Sequence, residues 1–351
     1  MSSHEDYKVD QTLSLTRLPH KSDLPSPTIR VRIQELKTRS MSCTMTVDIE
    51  TDTDGGGPTT TTGFLKLYDR RFADGQREQE GVGAWTPAIE DAYTESVRSG
   101  TIHQFVHDLH HVEKLQIYEM DFSYAQAEAY IAHLVLEQYT AEIAVYDALR
   151  DHQGKAVPRL LAAVDLDLSP PGAEDELFHI KGILLEFIEG FPMSQLSGNV
   201  PQSAWQNIVD QGIAAVHVLG DHYIMDEDRR PLNFMVSPEK DGEFRVFMID
   251  FGCCRFKRDD ESEEEWASNK ITMDEEGAVG LLMRKWLAKD HGFNLHYEPS
   301  SRYLEVGLEY ARALARADRE HWETRKAEAK KKAEAEKAKA EKAKTIAQAE
   351  A

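Results

Sequence analysis

The chain of 351 residues contains only three cysteines, Cys43 and the adjacent Cys253 and Cys254, and no CxxC spacing. That excludes a disulfide framework and a thiolate zinc site, and it fits a reducing compartment. Long apolar runs are also missing: the strongest, "GILLEFI" at 182–188, is flanked by Lys181 and Glu189 and is too short to span a bilayer. "MSSHEDYKVD" at the start lacks the basic-then-apolar order of a secretory signal, so the expected location is intracellular, cytoplasmic or nuclear. Basic residues are scarce, 41 Lys and Arg against 62 Asp and Glu, for a net charge of −21. Phosphate contacts need Lys and Arg, so neither nucleic acid nor anionic membrane is expected as a partner. The exception is 325–344, which holds nine basic residues against four Glu. Its "KAEAEKAKAEKAK" repeat has Ala where a coiled coil needs Leu or Ile, so a solvated single helix or frayed tail is expected over 324–351.

What is present reads in order along the chain. Residues 1–27 are polar and are expected to be flexible. Alternation at Ile29, Val31, Ile33 and at Met45, Val47, Ile49 predicts two antiparallel strands, and "GFLKLYD" at 63–69 a third with Lys66 inside it. Residues 70–120 read as an insertion with short helices, outside the strand core. His107, His110 and His111 within it raise a metal reading, against which a solvated helix face stands as the simpler one. A helix is expected over about 123–150, with Gly154 as its C-cap, followed by strands at "VPRLLAAVDLD" and "IKGILLEFIEG". Trp205, Ile208, Val209, Gly212, Val216 and Leu219 recur at helical spacing and open a mainly helical second region.

The segments "GFLKLYDRRFA", "TAEIAVYDALRDHQGKAVPRLL", "GILLEFIEG", "DEDRRPLNFMV", "FMIDFGCCRF" and "DEEGAVG" follow one another between about residues 28 and 315. In that order the chain resembles the protein-kinase-like superfamily and, within it, the fungal kinase-like protein family. The resemblance implies an α+β, bilobal protein-kinase-like fold: a five-stranded N-lobe with one helix over 28–190, and a mainly helical C-lobe over 191–323. It also implies an ATP- and Mg-dependent phosphotransferase acting on an unknown protein or small-molecule acceptor, with oligomeric state open. Phosphoryl transfer depends on charges fixed around the nucleotide and on one group that orients the attacking hydroxyl.

By the same resemblance, Lys66 matches the lysine that contacts the α- and β-phosphates, and Glu142 matches the helix glutamate that holds it, with Glu137 as the rival. Asp228 matches the catalytic aspartate and Arg230 a phosphate-contacting cation. Asn233 and Asp250 match the magnesium ligands. Glu186, Phe187 and Ile188 fall where backbone groups meet adenine, with Leu185 behind them. Three departures stand beside these matches. "ELKTRSMSCTMTV" at 35–47 has no glycine where backbone N–H groups would approach phosphates, leaving Thr38, Ser40 or Ser42 as substitutes. Asp226 occupies the place of a histidine and is expected to hold the loop or face solvent. No Ala-Pro-Glu follows Asp250, and the chain runs instead into 259–265, where six of seven residues are acidic, a solvated loop or a selector of basic partners. The alternative functions are therefore a pseudokinase that binds nucleotide or partners without catalysis, and a scaffold built around the charged tail.

Overall fold

The computed structural model describes residues 6–19, 24, 26–51, 59–111 and 122–349. Its largest sheet is a closed antiparallel barrel of six strands: β1 (Thr12–Arg17), β2 (Thr28–Arg39), β3 (Cys43–Thr51), β4 (Thr59–Leu67), β5 (Leu160–Asp167) and β6 (His179–Glu186), in the order β1-β2-β3-β4-β6-β5. This overturns the expected fold class: the strands close into a six-stranded barrel and do not form the five-stranded N-lobe with one helix of a bilobal kinase-like fold. The physical reason lies in β1. Leu13 and Leu15 alternate with Thr12, Ser14 and Thr16 and are sealed from solvent, each contributing about 1.5–3 kcal/mol of burial. β1 pairs with β2 at Leu13↔Val31 and with β5 at Thr16↔Asp165, which joins the two free edges. Two apolar positions in a polar stretch are a weak strand signal, and closure supplies the rest.

The other strand expectations hold. β2, β3 and β4 form consecutive antiparallel pairs, and β4 pairs with β6, so 63–69 and 182–188 meet in one sheet through Lys66↔Ile183. Between β4 and β5 lie α1 (Asp74–Gln79), α2 (Pro87–Arg98), α3 (His103–His111) and α4 (Tyr124–Ala148). Ser123 starts α4 through a capping box with Gln126. Helix α4 ends at Leu149 rather than at Gly154, whose φ of +71° instead serves a turn further on. Of the segment after β4, Phe72 packs among the barrel side chains, whereas Tyr93, Val97 and Ile102 form a separate cluster with Ala125 and Ala129 of α4. Arg70 bridges Glu90 of α2 and Glu128 of α4, and Arg77 also reaches Glu128, all four nearly devoid of solvent exposure. Segment 112–121, the rest of the expected insertion, lies outside the described residues.

The chain divides into two compact units. The first holds the barrel, α1–α4, β7 (Phe191–Pro192), α5 (Leu196–Asn199), α6 (Trp205–Asp221), β8 (Ile224–Asp226), β9 (Phe234–Pro238), β10 (Phe244–Met248), β11 (Cys254–Phe256) and, after 257–274, also residues 275–297. Two small antiparallel sheets, β10-β9-β7 and β11-β8, accompany the helices in this part. Gly190 lets the chain approach β9, where a Cβ would sit 2.2 Å from the Val236 carbonyl oxygen. One apolar core runs from Val145 and Tyr146 on α4 through Ile208 and Leu219 on α6 to residues Val279 and Met283.

The second unit comprises residues 257–274 and 298–351. It contains α7 (Glu263–Met273); the intervening helix α8 (Glu275–His291) belongs to the first unit, and α9 (Leu304–Ala349) to the second. Gly307 on α9 meets α7 closely, since a Cβ there would lie 2.7 Å from the Ala267 carbonyl oxygen. The acidic run 259–265 has a structural account: Ser262 caps α7, and Glu263–Glu265 occupy its first turn, where the helix dipole favours negative charge. Among the described residues no helix is long and apolar enough to cross a membrane.

Candidate functional site

Strand β4 delivers Lys66 and helix α4 delivers Glu142 to the same point. The ammonium donates to Glu142 Oε2 at 2.6 Å and to Asp250 Oδ1 at 2.7 Å. A strand lysine ordinarily faces water; this one is only 6 % exposed. Burial works against its charge, but the Asp250 and Glu142 carboxylates outweigh it and raise the Lys66 pKa well above the usual lysine range. The rival Glu137 is exposed and pairs with His133 on its own helix, so Glu142 is the glutamate that meets Lys66.

Asp250 follows the end of β10 in a left-handed conformation, φ +66°, which Asp tolerates better than most residues. Its side chain remains half exposed. The charge on Lys66 holds its carboxyl below the usual carboxylate range, against the opposing effect of burial. It is therefore an ionised, reachable oxygen donor.

A second group forms around the turn between β8 and β9. Arg230 donates to Asp228 Oδ2 at 2.6 Å, and the Asn233 side-chain amide donates to the Asp228 carbonyl oxygen at 2.9 Å. Asn233 keeps its own side-chain oxygen as an acceptor. Backbone bonds link the turn to the Asp250 segment: Ile249 N–H to the Asn233 carbonyl oxygen at 2.9 Å, which places Asp250 one residue from the loop's anchor, and Glu227 N–H to the Cys253 carbonyl oxygen at 3.1 Å. No direct bond joins Asp228 to Lys66 or Asp250 among the described residues. Asp226 is the loop's buried strut: it is ion-paired with Arg229, accepts from the Asp228 N–H at 2.8 Å, and its own N–H donates to Glu275 Oε1 at 2.9 Å. Of the two expectations for Asp226, holding the loop is the one observed.

Other expected residues are placed differently. Glu186 ends β6 with its N–H donating to the Arg159 carbonyl oxygen and its carboxylate accepting the Arg159 N–H. That N–H is therefore already engaged, and Phe187 and Ile188 follow it beyond the strand, Phe187 exposed. Leu185 lies in the core with Leu160 and Phe64. In the glycine-free turn, the Thr38 hydroxyl is bonded to that of Thr44 at 2.7 Å and Ser42 is buried. The Ser40 carbonyl oxygen accepts the Gly75 N–H at 2.8 Å, so the start of α1 pins this turn. No cluster of three or more His, Cys, Asp or Glu with metal-binding geometry occurs among the described residues, and His107 is exposed on α3.

Three site residues were not picked out from the sequence. Tyr68 lies two positions after Lys66 and therefore on the same strand face, and its hydroxyl donates to the same Glu142 oxygen. Tyr146 lies one helical turn after Glu142; it packs edge-on against Phe251, its hydroxyl buried without a partner among the described residues. Burial, reinforced by Glu142, keeps both phenols protonated. Arg229, three residues after Asp226, lies over the rings of Phe234 and Phe251. The strand and helix periods could have identified the tyrosines; nothing local marks Arg229 as buried. Compared with known proteins, the chain matches no family model and no curated protein.

Proposed function

We propose that the chain binds ATP with magnesium and transfers its terminal phosphoryl group to an acceptor hydroxyl, on a small molecule or a protein. The observation that carries this reading is Lys66 held between Glu142 and Asp250 at 2.6 and 2.7 Å. The likeness to protein-kinase-like proteins enters only as a likeness of this constellation and its spacing, since the barrel departs from their fold. The oxygen donors suit the ion: a half-exposed Asp250 carboxylate and the side-chain oxygen of Asn233 are the hard ligands that magnesium takes, with water and phosphate completing its shell. Magnesium would neutralise phosphate charge there.

In this scheme Asp250 and Asn233 would hold the magnesium, and Lys66, kept in place by Glu142 and Tyr68, would contact the phosphates. Asp228 accepts the hydrogen bond of the acceptor hydroxyl once Arg230 moves to the transferred phosphate. The backbone beyond Glu186, at Phe187 and Ile188, is left for the base.

A second reading, nucleotide binding without transfer, is favoured by the pinned, glycine-free turn. Its backbone carries no glycine, and Thr38 and Ser42 are engaged or buried. The two readings separate in one experiment. Thermal unfolding is measured with ATP, with and without magnesium, for the wild type and Asp250→Asn, alongside phosphate release. Binding to the native state must raise its apparent stability. Magnesium-dependent stabilisation lost in the variant, with phosphate release, supports transfer; stabilisation without release supports the second reading. No stabilisation of the wild type by ATP at millimolar concentration overturns both.

A further inference from the structure

A cavity of about 230 Å³ opens beside α4, away from the Asp228 loop in sequence and lined by residues from five elements. Tyr68 follows β4, Tyr93 comes from α2, Val106 from α3, Leu136 from α4 and Ile180 from β6. Most of this wall is apolar. An apolar cavity of about 150 Å³ is sufficient to hold benzene, so this one has room for a fused or substituted ring. Two tyrosines in the wall suit an aromatic ligand, since aromatic pairs favour edge and offset face contacts.

The polar groups of the lining decide the ligand's charge. Arg70 is paired with Glu90 and Glu128, Lys181 with Asp165 at 3.0 Å and Glu176 at 3.5 Å, His179 with Asp165 and His133 with Glu137. Every group able to carry positive charge already faces a carboxylate. An anionic ligand would have to displace one of these, and a cationic ligand would find only shared acids, so desolvating a charged ligand there is uncompensated. A neutral ring displaces nothing.

We infer that this cavity is a binding site for a small neutral aromatic molecule, and that its occupancy is felt at Lys66 through Tyr68. Tyr68 lines the cavity, and its hydroxyl holds Glu142 at the oxygen that Lys66 also uses. A ligand that fixes the ring fixes the hydroxyl, and so biases the Lys66–Glu142 contact. The binding claim stands by itself; the coupling claim rests on the nucleotide reading of the Lys66 site.

The test uses indole as the probe on the full chain, by calorimetric titration without nucleotide. Saturable binding is expected, with indole-3-carboxylate weaker by about tenfold or more, a difference of about 1.4 kcal/mol. Ala132→Phe on α4 and Val106→Trp on α3 each fill the cavity from a different wall and are expected to abolish binding. Having two fillers keeps the test open if one of them unfolds. Tyr68→Phe is expected to retain indole binding while removing any effect of indole on Mg–ATP affinity, an effect that in the wild type must be reciprocal. No indole binding, unchanged binding in a folded filler variant, or equal affinity for the carboxylate overturns the site. An effect on Mg–ATP that survives Tyr68→Phe overturns the coupling route. Indole binding as expected with no ATP binding at all leaves the cavity assignment supported and removes the nucleotide reading.

Discussion

The carboxylate of Asp226 and the guanidinium of Arg229 form an ion pair with side chains 0 % and 1 % exposed, the guanidinium lying over the rings of Phe234 and Phe251. Burial of this kind pulls the arginine pKa below its ordinary value. It also makes the pair asymmetric to mutation: removing one partner strands the other, whereas removing both leaves no charge behind. Asp226→Ala should therefore destabilise the protein by about 3–5 kcal/mol, and Asp226→Leu combined with Arg229→Met should recover most of that loss. Urea unfolding of the single and double variants checks it. The double variant also loses the bond to the Asp228 N–H, so restored stability without restored activity is the expected signature of a strut that positions the loop.

Asp228 and Arg230 make the opposite case, a pair in which both side chains are substantially exposed, 41 % and 54 %. Such a pair is worth little to folding. Asp228→Asn should leave the unfolding midpoint nearly unchanged and, on the proposed phosphotransferase reading, lower phosphoryl transfer by about 10²–10⁴-fold, the range of a positioned acid–base group. Loss of transfer with a large loss of stability would instead mark Asp228 as structural.

Lys66 and Asp250 set an acid limit. The Asp250 carboxyl is held below its ordinary value of 3.8 by the Lys66 charge. A carboxyl depressed on folding contributes stability that is present above its unfolded pKa and lost as pH falls through the folded one. Lys66 is raised on folding, so its contribution persists below its ordinary 10.5 and fades only at higher pH. The difference in stability between wild type and Asp250→Asn should thus be level from about pH 5 to 8 and shrink below about 3.8. Thermal melts across that range check it, and a difference that grows on acidification would contradict the sign.

Cys253 adjoins the same site and is only partly exposed. Burial, then the nearby Asp250 and Asp228 charges, push its thiol up to about 11. Since the thiolate is the reactive form, iodoacetamide should label Cys253 slowly at pH 8, with the rate climbing toward pH 11. Asp250→Asn removes one of those charges and should speed labelling at pH 8, read by peptide mass analysis.

Much of this was legible from local pattern alone. The alternation at 29–33 and 45–49 depends only on a two-residue period, and the helix expected over about 123–150 is found at 124–148, although its C-terminus is not set by Gly154. The spacing of Asp228 and Asn233 placed both on one turn, because five residues cannot carry them far apart. Lys66 and Glu142 could be named, but their meeting across a separation of 76 positions follows from α4 packing on the barrel, which no local period encodes.

Tertiary structure alone decided three things. β1 is a strand because its Leu13 and Leu15 find the barrel interior and its backbone finds two edges, an outcome set by closure and not by the propensity of "TLSLTR". Arg229 is a core residue because Asp226 accompanies it into the core, whereas arginine by itself reads as surface. The turn at Ser40 is pinned because Gly75, 35 residues away, presents its N–H to it. In each case the sequence determined which groups must be satisfied, an apolar face, a charge or a carbonyl, and the fold determined which distant partner satisfied them.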